Sequence, residues 1–371
     1  MRILLVIYGD LEQQTGGYRY DARLVAFLRE RGHRVDLFSQ IPGSYGMRLL
    51  QDAPGRLLRA VQEHEPDLIL EDELNHPSLI RGNRRLRLHG ELPIVSVVHH
   101  LASSEEHGWI RGFMVKRIEK AYLRTIDGAV FNTPATRRAA EELRGSELPG
   151  VVALPSMDGL REIAGTRRDG EAPGNPSGGE LRLLTVGSLI RRKRIDAVIG
   201  ALALLGDPGV SLTIVGDDSA EPGTARSLRR LPGQLGVGGQ VRFVGSLDDE
   251  ALHEAYSRAD LFVLPSQHEG FGMVYLEAMA RGVPVVATSA GGAGAIVRDR
   301  ENGFICKPGS SADVARIIKE LRERPDELTR LSREARRSAG NHPTWEESFA
   351  KAEAFFTELV NRRSVNGLQL S

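Results

Sequence analysis

The residues best suited to chemistry lie in one stretch, LFVLPSQHEGFGMVYLEAMARGVPVVAT (261–288). Its apolar start reads as a buried strand ending at Pro265, followed by a Gly-rich loop and a helix beginning near Met273. In an open parallel sheet, ligands bind beyond the carboxyl ends of the strands, where a helix N-terminus presents backbone N–H groups to an anion. Gly270 and Gly272 let the backbone come close to a diphosphate. Glu269 falls in the loop, and Glu277, eight positions later, falls inside the helix. Two carboxylates so placed reach different parts of one extended ligand. As strong acceptors they suit the hydroxyls of a sugar ring and a ribose better than they suit phosphate. A single glutamate here would read as a solvent-facing helix residue; two strands, two glycines and two glutamates in order carry more.

The second cluster is Arg191, Arg192, Lys193 and Arg194, shortly after an apolar run ending at Val186 and Gly187. Basic residues at a helix start oppose its dipole, so the sequence predicts a bound anion as compensation, against the plainer reading of a solvated basic turn. His99 and His100 close another apolar run, where a histidine pair is as readily functional as structural. The segment EDELNHPS (71–78) has two readings. One is acceptor binding, for which Glu73, His76 and His100 are the candidates. The preferred one is a charged loop in which Asn75 or Ser78 caps the next helix. Glu71, Asp72, Glu73 and His76 could also, by residue type, hold a metal. Gly16 and Gly17 lie between the first strand and the first long helix, but YGDLEQQTGGYRYD lacks the three-glycine dinucleotide fingerprint, which argues against a dehydrogenase. Trp109, Ile110, Phe113 and Met114 interleave with Arg111, Lys116 and Arg117. That pattern fits a membrane-surface helix or a core helix with snorkelling basic residues, and the core reading is preferred.

Positioning such residues requires parallel sheets, and the chain has the matching rhythm of short apolar runs alternating with helix-period stretches. Candidate strands are 3–8, 35–39, 68–70, 94–99, 129–132 and 151–155, then 181–186, 212–215, 241–244, 261–264, 283–287 and 304–306. Among the helices, 18–31 and 109–124 are the clearest. Residues 165–180 (GTRRDGEAPGNPSGGE) are rich in Gly, Pro and charge and read as a linker. The expected organisation is an N-terminal Rossmann-like domain (1–165), a linker (166–180), a C-terminal Rossmann-like domain (181–340), and a terminal helix and tail (341–371). Thr344 can cap that last helix, whose Trp345, Phe349, Phe355, Phe356 and Leu359 need a partner surface, on their own domain or back across the junction.

With 371 residues, 41% hydrophobic and 26% charged, the chain is long enough for two cores and is neither disordered nor membrane-spanning in composition. Lys plus Arg and Asp plus Glu both number 49, so no global field attracts nucleic acid or anionic lipid, and any bound anion must be held locally. A single cysteine, Cys306, excludes an internal disulfide and a clustered thiolate metal site and fits a reducing cytoplasm. The apolar opening of MRILLVIYGD runs for about six residues, short of a signal-peptide core, and reads as a buried first strand.

The string EGFGMVYLEAMARGVPVV resembles the donor-binding signature of the retaining family 4 glycosyltransferases, whose two glutamates are separated by seven residues. The resemblance extends over most of 181–310 through VGSLIRRKRID, LTIVGDD, VRFVGS, RADLFVLPS and ATSAGG. In the first half it is weaker and rests on TGGYRYDARLVAFLRERGH and PIVSVVHHL. It implies a GT-B fold, two Rossmann-like domains facing a central cleft, and metal-independent transfer from a nucleotide diphosphate sugar without a further cofactor, to an acceptor it does not name. Glu277 would bind ribose hydroxyls, Glu269 the sugar beside the reacting carbon, and the N–H groups of Phe271, Gly272, Met273 and Val274 the pyrophosphate. Lys193 would take the phosphate role, with Arg192 or Arg191 standing in for an arginine that relatives carry where this chain has Ser188. Gly16 and Gly17 would approach the donor, and His99 the sugar or reaction centre. Asp218 and Ala295 also depart from the family pattern. Because the fold is shared, a sugar-nucleotide 2-epimerase, or a protein that binds without turnover, is the alternative reading.

Overall fold

The computed structural model describes residues 1–12, 16–51, 54–89, 92–104, 109–166 and 179–368. The chain divides into two compact units, Met1–Pro155 with Pro343–Ser371, and Ser156–His342. The proposed linker lies largely outside the described residues.

In the first unit the strands are β1 (Arg2–Tyr8), β2 (Arg34–Gln40), β3 (Leu68–Asp72), β4 (Ile94–Val98), β5 (Gly128–Phe131) and β6 (Gly150–Val152). They form one parallel sheet in the order β2-β1-β3-β4-β5-β6. The helices are α1 (Gly16–Glu30), α2 (Tyr45–Leu50), α3 (Pro54–His64), α4 (Ile80–His89), α5 (Trp109–Leu123) and α6 (Pro134–Arg144), with a 3-10 turn at Glu73–Ser78. Alternate side chains of β1 enter opposite cores, as strand geometry demands. Ile3, Leu5 and Ile7 pack with Tyr20, Leu24 and Leu28 of α1, and Val6 packs with Leu57, Leu86 and Tyr122 from the other face.

The second unit holds α7 (Leu160–Thr166), then β7 (Leu181–Val186), α8 (Ile195–Leu205), β8 (Val210–Val215), α9 (Pro222–Gln234), β9 (Val241–Gly245) and α10 (Asp249–Arg258). It continues with β10 (Leu261–Leu264), α11 (Met273–Ala280), β11 (Val285–Thr288), β12 (Gly303–Cys306), α12 (Ser311–Glu323) and α13 (Pro325–Gly340). Its parallel sheet runs β12-β11-β10-β7-β8-β9. From β7 the chain winds outward through β8 and β9, then restarts at β10 on the other side. β7 and β10 therefore flank the switch point, where diverging crossovers leave a crevice at the strand ends.

The last helix, α14 (Trp345–Leu368), belongs to the first unit. Thr344 caps it with a reciprocal pair: its Oγ1 accepts from the Glu347 N–H at 3.2 Å, and Glu347 Oε2 accepts from the Thr344 N–H at 2.9 Å. Phe349, Phe355 and Phe356 sink into the core that contains α1, and Glu353 holds His33 at 2.8 Å and Arg31 at 3.2 Å. No helix among the described residues is long and apolar enough to cross a membrane.

Candidate active site

Lys193 lies in the 3-10 turn Arg191–Lys193 after β7, and Glu269 in the loop after β10. The adjacency of those two strands brings together residues far apart in sequence. Lys193 Nζ donates to Glu269 Oε1 at 2.7 Å, and Arg192 Nη1 stands 3.5 Å from the same oxygen while donating to the His268 carbonyl at 2.6 Å. The Glu269 main chain is fixed from the next loop: its N–H donates to the Ala290 carbonyl at 3.2 Å, and its carbonyl accepts from Gly292 at 2.7 Å. Burial would raise the Glu269 carboxyl, but Lys193 and Arg192 outweigh it and hold the group below its ordinary range. Glu269 is therefore a carboxylate at neutral pH.

The compensation predicted for the basic cluster is supplied by the protein itself. Glu269 serves Lys193 and Arg192, Glu221 accepts from the Arg191 N–H at 3.0 Å, and Asp196 takes the Arg194 guanidinium at 3.0 Å. The need for an external anion inferred from charge alone is corrected accordingly. Arg194 occupies the left-handed region at φ 50°, uncommon for a residue with a β-carbon.

α11 begins at Met273, and Gly272 before it has φ 88°. A β-carbon at Gly272 would stand 2.3 Å from the Tyr275 ring, whose hydroxyl is tied to the Leu264 carbonyl at 2.7 Å, so only glycine fits. The N–H groups of a helix's first turn lack partners one turn back; here that of Tyr275 donates to the Gly272 carbonyl at 2.9 Å, and the helix starts four residues after Glu269. Phe271 is buried, whereas Gly270, Met273 and Val274 are half-buried. Glu277, also half-buried, accepts from the Tyr256 hydroxyl at 2.9 Å. Tyr256 escaped the sequence reading because nothing in α10 marks a tyrosine as a carboxylate partner. Ser188 lies half-buried just after β7.

In the first unit a separate cluster forms at the carboxyl ends of β1, β3 and β4. His99 Nε2 donates to Asp21 Oδ1 at 3.0 Å, its N–H donates to Glu73 Oε2 at 2.9 Å, and its carbonyl accepts from Asn132 at 2.6 Å. Burial alone would lower the imidazole, but Asp21, Glu73 and Asp72 raise it to about 10. His99 is thus an imidazolium, a donor and not a general base. Asp21 is a functional residue the sequence reading missed; an acid on the apolar face of α1 beside Tyr20 and Leu24 was the available signal. A β-carbon at Gly17 would stand 3.2 Å from His99 Cδ2, so the glycine admits the ring, whereas Gly16 meets no such neighbour.

The acidic segment is no solvated loop. Glu71 and Asp72 extend β3, and with Glu73 all three are buried. Burial pushes Glu71 up to about 8 and Asp72 to about 6, and raises Glu73 well above its usual value. Asp72 caps the 3-10 turn, its side chain accepting from the Leu74 N–H at 3.0 Å, whereas Asn75 and Ser78, the residues expected to cap the next helix, bond elsewhere. Ser78 instead bonds the Arg48 carbonyl at 2.7 Å and the Tyr8 hydroxyl, and Asn75 donates to the Val6 carbonyl. His76 bonds the Glu73 carbonyl and the Tyr45 hydroxyl, both at 2.9 Å, and burial lowers it to about 4. Glu73 and His76 thus have framework partners, and His100 is the more open of the three acceptor candidates. Asp21, Asp72 and His99 have ligand atoms within 4.8 Å of one another. A charged imidazole cannot ligate a cation, so this trio reads as an ion cluster.

Solved structures share the architecture. Sucrose-phosphate synthase from Thermosynechococcus elongatus superposes with a TM-score of 0.76 at 21% identity, covering 97% of this chain and 99% of that one. Anabaena HepE in complex with UDP and glucose gives 0.72 at 22% identity, covering 96% and 99%. The fold is that of the GT-B glycosyltransferases. Residues 168–338 match the model of the glycosyl transferases group 1. Glycogen synthase of Mycobacterium tuberculosis is 30% identical over 262 residues, 69% of this chain and 61% of its own length. The D-inositol 3-phosphate glycosyltransferase of Rhodococcus erythropolis is 29% identical over 372 residues, 88% and 84% respectively.

Proposed function

We propose that this protein transfers a hexose from a nucleotide diphosphate sugar to an acceptor hydroxyl with retention of configuration. The observation that carries the reading is the 2.7 Å Lys193–Glu269 pair beside the start of α11. It sets cations, helix N–H groups and an ionised acceptor within one crevice. In the reaction the bond from the sugar's carbon one to the phosphate oxygen breaks, leaving oxocarbenium character on the ring and negative charge on the diphosphate. Lys193, Arg192 and the N–H groups of residues 271–274 would take the diphosphate, with Ser188 giving it room. Glu269 would accept from sugar hydroxyls beside the positive carbon, and Glu277 from the ribose. The acceptor oxygen bonds to carbon one on the face the phosphate leaves, and its proton passes to that phosphate. No metal or cofactor takes part in this scheme, and no protein base is required, which agrees with the imidazolium state of His99. His100 is the residue through which the first unit would meet the acceptor.

The relatives named above are synthases and glycosyltransferases, which favours transfer over epimerisation or binding alone. The test has two stages. A panel of nucleotide sugars should contain one that raises the melting temperature, and incubation of that donor with acceptor extracts should release nucleotide in step with a glycosylated product. Proton NMR of the early product should show an α-linkage from an α-linked donor. A β-linkage would remove the retaining reading, and interconversion of the donor without acceptor would favour the epimerase.

A further inference from the structure

The first half of α5 does not join the core, contrary to the preferred reading of its sequence. Trp109 is 88% exposed, Ile110 68%, Phe113 59% and Met114 52%. Their spacing places them on one side of the helix. The helix is held to its unit by Val115, Glu119, Tyr122 and Leu123, all buried. Its second half is thus anchored while its first half displays large apolar side chains. α2 adds Met47 and Leu50, both exposed. It lies nearby, because Tyr45 of α2 feels the charge of Arg111.

Among the described residues of α4 and α5, the exposed charge has one sign. Arg111, Lys116 and Arg117 are exposed on α5, and the helix's one acid, Glu119, is buried and accepts from the Ala102 and Ser103 N–H groups at 2.7 and 3.1 Å. α4 has no acidic residue at all and exposes Arg81, Arg84 and Arg85. It neighbours α5 on the same face of the sheet, with Asn83 and Arg87 bonded to Thr125 just after α5 at 3.1 and 3.0 Å. A chain whose formal charge sums to zero thus concentrates positive charge beside its most exposed apolar residues.

We propose that the outer face of α4 and α5 docks the protein on an anionic lipid bilayer. Trp109 and Phe113 suit the headgroup boundary, Ile110 and Met114 the acyl edge, and the flanking guanidinium and ammonium groups the lipid phosphates. A second copy of this chain fits less well, because face-to-face association would set Arg81, Arg84 and Arg117 against like charges. A nucleic acid would leave Ile110 and Met114 without an apolar partner. Trp109 starts the helix that follows His99, so the docked surface adjoins the carboxyl ends of the first sheet's strands, the edge where an acceptor carried by a lipid would arrive.

The proposal does not rest on the transferase reading, and its test reads no turnover. The full-length protein is sedimented with sucrose-loaded vesicles of pure phosphatidylcholine or of phosphatidylcholine with about one-third phosphatidylglycerol, at low and high salt. Binding is expected to the anionic vesicles only and to weaken with salt. Trp109→Ser with Phe113→Ser should lower the partition coefficient at least about tenfold, and Lys116→Glu with Arg117→Glu should abolish the preference for anionic lipid. Should the first pair alter the melting temperature, Ile110→Ser with Met114→Ser provides the same reading. Equal recovery in the supernatant with and without vesicles, or binding unaffected by these substitutions, overturns the proposal. So does a dimer in velocity sedimentation that the Trp109 and Phe113 substitutions dissociate, or retention by nucleic acid in place of vesicles.

Discussion

Replacing Lys193 by Met retains the length of the side chain and removes its charge, stranding a carboxylate whose side chain is 7% exposed against a lysine of 13%. Breaking a well-buried ion pair costs ~3–5 kcal/mol, because the remaining charge is left without its partner. Arg192 stays at 3.5 Å from Glu269, so a smaller cost of about 2 kcal/mol is expected, equivalent to a drop of ~4–8 °C in melting temperature for a unit of this size. Glu269→Gln in the same background removes the stranded charge and should recover most of the loss. The assay is a far-UV circular dichroism melt of the unliganded protein. Both tryptophans, Trp109 and Trp345, belong to the first unit, so their emission serves as the internal control. The pH dependence has a definite sign. Glu269 titrates below its unfolded value, so its stabilisation is present above the usual carboxylate range and is lost as pH falls through the depressed folded value. The gap between parent and Lys193→Met should therefore close in acid. If the two melt within about a degree of each other at pH 7, or if Glu269→Gln adds to the loss, the pair is not the electrostatic unit described.

Further outcomes are expected. Glu277→Gln should chiefly raise the Michaelis constant for the donor, and Glu269→Gln should chiefly lower turnover; the reverse split in steady-state kinetics would exchange their roles. Asp21→Asn removes the nearest counter-charge of His99. The imidazole signal in NMR should titrate well below about 10, and the stability that His99 contributes, full below its unfolded value and lost as pH rises through the folded one, should disappear from the alkaline limb of the stability profile. Glu71, raised to about 8 by burial, favours the protonated fold, so parent stability should decline from its unfolded value up to about pH 8. Glu71→Gln should flatten that decline in denaturant titrations.

Buried parallel strands announce themselves as apolar runs, which is why each of the twelve strands among the described residues lies where the sequence places one, within a few residues at its ends. β3 was cut short because Glu71 and Asp72 are charged, and periodicity cannot reveal that a neighbouring histidine or asparagine accompanies them inside. The same limit applies to the site. Glu269, Glu277 and Lys193 were legible as residue types in a known kind of loop. The contact of Lys193 with Glu269 depends on β7 lying beside β10, a long-range pairing that no local pattern encodes. Tyr256 and Asp21 were hidden for the same reason. The α5 pattern failed differently, since alternating apolar and basic residues describe a snorkelling core helix and an exposed one equally well.

The placement of α14 has a consequence for how the molecule is made. Phe349 and Phe356 complete the core around α1, yet during synthesis they emerge after the whole of the second unit. The first unit to begin is therefore the last to finish, and until then the nascent chain carries an uncovered apolar face beside Tyr20 and Leu24. Such exposed surface is where chaperones bind and where aggregation starts. Residues 1–155 expressed alone should inherit that sticky intermediate, and a soluble first half would require the terminal helix to be supplied, either joined directly or added as a separate peptide.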